Sequence, residues 1–231
     1  MPEAAGVIAE AAGAPPAHAV AAVTHADPYP WYRQLRQHRP LYFDPALQFW
    51  VASSQALIRE VLAQPAWRVR PPGEPVPPAL QGTALGTVFG QWVRMRDGAF
   101  HAAHKPAVLQ SVVRWGLAEV ARASEAAVAD LLPRVAANAL LDWLPVQVMA
   151  RLLGLPDSVL DPTCAQVRHI VLGMAPGAGP AAVALASGAA QALVAQGQAQ
   201  GLDAVQAANR LALMQQSLDA TAGLLGHSAL M

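Results

Sequence analysis

Residues 213–231 read LMQQSLDATAGLLGHSALM, and the rest of the chain is best approached from them. Together with Leu211, the side chains of Leu213, Met214, Leu218, Leu224, Leu225, Leu230 and Met231 fall all round a helix instead of along one stripe. Such a helix is expected to be enclosed on every side. One acid, Asp219, lies among them and reads as buried, and Thr221 adds a hydroxyl two residues on. The segment stops at Met231 without the glycine or proline that usually marks a helix end. The sequence reads as breaking off inside its most apolar helix.

Upstream, no residue between Arg168 and Asp203 carries a formal charge. That stretch mixes alanine with glycine, proline and glutamine, and lacks the unbroken apolar run of a membrane span. All six tryptophans, three tyrosines and four phenylalanines lie at or before Trp143. Alanine-dense helices beyond that point can pack around something large and flat or on one another, and close mutual packing is the expectation. Over the whole chain 15 basic and 15 acidic residues cancel. That balance gives no electrostatic case for nucleic acid or an anionic membrane as partner. The single cysteine, Cys164, excludes a disulfide framework and a cysteine–zinc cluster. Residues 1–26 have no basic n-region of a signal peptide and are expected to form a disordered leader, with a cytoplasmic location as the default.

The ordered part is expected over 27–231 and to be mainly α-helical with one small β-hairpin. In DPYPWYRQLRQHRP, Asp27 is placed to cap a helix whose first residue is Pro28, and Pro40 ends it. LYFDPALQFWVAS carries two short aromatic and β-branched runs around a turn, the hairpin signal. Ser53 or Ser54 then caps a helix that Pro65 stops, and the proline-rich RVRPPGEPVPPALQG reads as loop. FHAAHKPAVLQSVVRW is helical despite Pro106. Leu117, Val120, Ser124, Val128, Leu131 and Val135 follow at helical spacing, and DWLPVQVMARLLGLPD is a short helix closed by Gly154 and Pro156. A long last helix begins near Leu202.

These pieces, in this order, resemble the N-terminal half of a bacterial cytochrome P450. DPYPWYRQLRQHRPLYFDPALQFWVASSQALIREVLAQPAWRVRPP is similar to that family's opening helix, hairpin and second helix; MRDGAFHAAHKPAVLQSV to its third main helix; LPVQVMARLLGLPDS to its leucine–glycine–proline helix; and QQSLDATAGLLGHSAL to the central helix that crosses above the haem. The resemblance implies haem-thiolate monooxygenation of a small, apolar organic substrate, with electrons from a ferredoxin-type or flavin partner. It also implies a second half that this sequence does not contain. There is no Glu-x-x-Arg followed by a Phe-x-x-Gly loop with a cysteine, and Cys164 in LDPTCAQV reads as a buried or half-buried helix thiol. The chain alone is therefore expected to be inactive, and to self-associate or to need a second polypeptide such as the missing half. The alternative is a non-catalytic relative that binds a ligand or partner.

Two pairs carry the chemistry that the resemblance implies. His101 and Lys105 are four apart and share a helix face, where the family's matching cations meet haem propionates; the other reading is a pair of surface cations. Asp219 and Thr221 correspond to the family's acid and threonine that pass protons to iron-bound oxygen. Here Ala220 separates them, and a one-residue shift turns a helical side chain by about 100°. Thr221 can instead bond back to its own helix. Of the other histidines, His18, His25, His38 and His104 show no metal-ligand spacing, and His169 and His227 stand alone, so none is read as an axial ligand.

Overall fold

The computed structural model describes residues 14–229. They divide at Trp67 and Arg68 into two compact units.

The first unit holds helices α1 (Ala19–Ala22), α2 (Tyr29–His38) and α3 (Gln55–Ala63) and strands β1 (Leu41–Asp44) and β2 (Phe49–Ala52). Of the expected leader, residues 1–13 lie outside the described residues. The remainder contains α1, capped by His18, whose Nδ1 accepts from the Ala21 amide. Asp27 does stand at the start of α2, accepting from Tyr29 N at 3.2 Å, but Pro28 occupies the cap and the helix begins one residue later than expected. The strands pair antiparallel, with Tyr42 opposite Val51 and Phe43 opposite Trp50. The Asp44 carboxylate accepts from the Ala46 and Leu47 amides, and Gln48 takes φ +56°, the left-handed turn that lets the chain reverse. Ser54 rather than Ser53 caps α3, receiving Leu57 N at 3.3 Å; the Ser53 hydroxyl is already donated to Arg39 O.

The second unit is helical. Its elements are α4 (Ala84–Phe89), α5 (Gly98–Val113), α6 (Leu117–Leu131), α7 (Ala137–Leu152), α8 (Leu160–Met174), α9 (Pro180–Ala199) and α10 (Ala204–Ala229). α8 packs on α9, α10 on α7 and α9, and α6 on α7. Leu85, Phe89, Trp92, Val146, Val167, Ile170, Leu211 and Met214 form the centre of one hydrophobic core. The alanine-dense segment packs on its neighbours. A Cβ on Gly173 would fall 2.3 Å from Ala186 Cβ, and one on Gly197 2.8 Å from Ala207 Cβ, so the backbones meet through missing side chains. α4 lies just beyond the proline-rich region read as loop. Thr83 caps it, and Leu85, Val88 and Phe89 are buried where it meets α9. α7 is longer than expected, with Pro145 inside it, and Gly154, just past its end, takes φ +80°. In α6 burial is confined to Ala127 and Leu131, and Leu117 lies exposed.

A polar network ties α6, α7 and α8 together. Arg134 donates bidentately to Asp161 at 2.6 and 2.8 Å and also to Asp130 at 2.6 Å. The buried Gln147 of α7 donates its Nε2 to the same two acids, at 3.0 and 3.2 Å. No helix among the described residues is long and apolar enough to cross a membrane.

Candidate functional site

The long helix α10 is not enclosed along its whole length. Leu211 and Met214 are each 1% exposed and Leu218 is buried, whereas Leu224 is 68% exposed. Leu230 and Met231 lie outside the described residues. Asp219 and Thr221 both fall in the open part and are exposed. Asp219, expected to be buried and in want of a partner or a proton, is solvated instead, because no element of residues 14–229 covers that turn.

His101 and Lys105 sit on α5, one turn apart, the first half-buried and the second exposed. Among the described residues neither side chain makes a hydrogen bond or an ion pair. α5 has no fully buried residue at all, and Pro106 within it leaves the Ala102 carbonyl without its helical donor. The neighbouring His104 stacks at 4.5 Å on Phe100.

It is His104, not His101 or Lys105, that lines the cavity of about 310 Å³ between α5 and α10. Arg114, just past the end of α5, and Asn209 and Arg210 of α10 line it as well, while Asp219 and Thr221 do not. Asn209 is fully engaged. Its Oδ1 accepts from Val93 N at 2.9 Å, and its Nδ2 donates to Gln91 O at 2.9 Å and Val205 O at 2.8 Å. Arg210 is 9% exposed, donates Nη1 to Gln200 Oε1, and has its buried Nη2 without a partner. Sequence reasoning passed over Arg210, although one signal was present: it is the only charged residue between Asp203 and Asp219. That it lines one cavity with His104 and Arg114 is a matter of packing that no local pattern carries.

The side chains present do not make a haem-thiolate site. The Cys164 thiol, in the second turn of α8, is 2% exposed. It lies 3.7 Å from Trp143 O, to which it donates. Burial, helped by the nearby Asp161 charge, pushes its pKa up to about 12. The proton stays on, and a protonated thiol sealed in a helix packing is not an iron ligand. No group of three or more His, Cys, Asp or Glu able to hold a metal is found among the described residues.

No protein-family model matches the chain, and no curated protein matches it. Among solved structures it is similar to P450BioI in complex with hexadec-9Z-enoic acid ligated acyl carrier protein, with a TM-score of 0.69 and 15% identity. The match covers 88% of this chain and 60% of that one, so the chain spans about three-fifths of the length of the cytochrome P450 it resembles. At that identity the likeness is one of fold: the chain is a mainly helical protein with a small N-terminal hairpin and a cytochrome P450-related architecture.

Proposed function

We propose that residues 27–231 form the helical shell of a cytochrome P450-type haem monooxygenase acting on a small apolar substrate. What supports the reading is the cytochrome P450-related fold, which spans nearly the whole chain. In this reading α10 is the helix that faces the haem, with Asp219 and Thr221 on its open part, and His101 and Lys105 offer cations to the propionates. A ferredoxin or flavin protein would supply electrons. The thiolate would have to come from a polypeptide segment other than residues 1–231, since Cys164 is sealed and protonated, and no oxidative step is assigned to this chain alone.

The sealed thiol also favours a second reading, in which the chain is a non-catalytic relative that binds a ligand or a protein partner. P450BioI itself is held with an acyl carrier protein.

One experiment bears on both. The purified chain, mixed with haem and reduced under carbon monoxide, is expected to give no thiolate-type Soret band. Haem affinity, where measurable, should fall on the order of tenfold in His101→Ala and in Lys105→Ala, the loss expected for a charge-assisted contact. A thiolate band that disappears in Cys164→Ala overturns the reading of that cysteine. Haem titrations unchanged in both cation variants favour the non-catalytic binding protein.

A further inference from the structure

The cavity between α5 and α10 is lined by no acidic residue, yet it carries two guanidinium groups, Arg114 and Arg210, and an imidazole, His104. A guanidinium stays charged inside proteins, and a charge taken out of water without a counter-charge is costly. Arg210 is in that position. It is nine-tenths buried, and no carboxylate among the described residues forms an ion pair with it; its Nη2 is shut in beside Gly197 of α9 without a partner, so the rest of the side chain is what lines the cavity. The neutral Gln200 carbonyl is its one side-chain acceptor. Desolvation accordingly pushes the Arg210 pKa down. Asn209 has no N–H to spare, and the two guanidinium groups along this cavity meet no acid in its walls, so what they lack is negative charge.

The walls point to the rest of the ligand. Val108, Leu202 and Leu213 give the cavity an apolar side, which a bare inorganic anion would leave unused. Its volume of about 310 Å³ stands at the lower end of the range of small-molecule sites. We propose that this cavity binds a small organic monocarboxylate, its carboxylate meeting Arg210 and Arg114 and its apolar body packing on Val108, Leu202 and Leu213. Guanidinium and carboxylate match in planar, two-pronged geometry, which the exposed Arg114 offers while Arg210 adds its charge from the wall. The inference stands apart from the haem reading, because none of His101, Lys105, Asp219 and Thr221 lines this cavity.

Calorimetric titration of the full chain with benzoate, with its neutral analogue benzamide and with inorganic phosphate tests it. Benzoate is expected to bind, and benzamide to bind at least about tenfold more weakly. Arg210→Met should weaken benzoate by a similar factor while remaining folded, since it replaces an unpaired buried charge with an apolar chain of similar reach. Should that variant not fold, Arg114→Gln, at an exposed position, is expected to lose benzoate affinity several-fold with unchanged thermal unfolding. Absence of benzoate binding, equal affinity for benzoate and benzamide, or phosphate binding as tight as benzoate each overturns the proposal.

Discussion

The two halves of α10 are made of similar residues and live in different surroundings. From Ala207 to Leu218 the helix is gripped: Leu211 and Met214 are in the core, Asn209 is bonded to the segment before α5, and Gly197 of α9 lets Ala207 come close. From Asp219 to Ser228 it again carries leucine and alanine, now with two glycines, but Leu224 stands in water and nothing lies within 4 Å of a Cβ on Gly223. Apolar content alone therefore did not decide burial. What decided it was the presence of α9 alongside the first half, where Gly197 meets Ala207; α7 runs beside both halves, since a Cβ on Gly226 would lie 3.8 Å from Leu141 Cδ1.

The largest expected contrast is between two leucines. Leu211→Ala should cost about 2–5 kcal/mol, the range for deleting a buried leucine side chain. Leu224→Ala should stay within about 0.5 kcal/mol of the parent. Urea unfolding of the two variants measures the difference, and equal costs would mean that the second half of α10 is covered in solution. A smaller contrast lies between two glycines. Gly197→Ala is expected to destabilise by about 1–3 kcal/mol, because the new methyl meets Ala207 at 2.8 Å. Gly223→Ala should stabilise by up to about 1 kcal/mol, since alanine is the better helix former and the space is open. A loss at Gly223 would reveal a partner packed on that face.

The smallest expected effect comes from acid, away from α10, and calibrates how far the rest of the unit holds together. Hydrogen bonds from Arg134 and Gln147 hold the Asp130 carboxyl below its ordinary range. A carboxylate whose folded pKa is depressed contributes its full stabilisation above the unfolded value. That contribution is lost as the pH falls through the folded value, so it should fade below about pH 4. Asp130 is 39% exposed, and solvent screening keeps the effect under about 1 kcal/mol. Asp130→Asn should remove that part of the acid sensitivity in thermal melts taken from neutral to low pH. A larger change would mean that the bridge from α6 to α8 is drier than its exposure indicates.

Much of the architecture was legible where the chain announces itself. The turn at Asp44 and Pro45, the Ser54 cap and the stop at Gly154 and Pro156 are local chemistry, and each sits where its residues put it. α4 was not legible. Its six residues follow a proline-rich loop and contain a glycine, and what makes them helical is the Thr83 cap together with burial against α9. The extent of α9 was equally hidden, because alanine at nine of its twenty positions and no charged residue leave no periodicity to read. For the site, sequence singled out Asp219 as buried from the company it keeps, but a solvated turn and a packed one have the same neighbours in sequence. Arg210 was passed over for the opposite reason. Its isolation among apolar residues was visible, while its proximity to α5 exists only in three dimensions.

The three hydrogen bonds of Asn209 have a further consequence for motion. Because one side chain holds both the Val93 amide and the Gln91 carbonyl, the strap ahead of α5 cannot lift while the first half of α10 stays in place. To free either group, Asn209 must leave, and a buried amide donor or acceptor without a partner is too costly to persist. Residues 91–93 and the turn of α10 around Asn209 therefore open as one cooperative unit, and local fluctuation near Trp92 is set by the stability of a helix more than a hundred residues further along the chain.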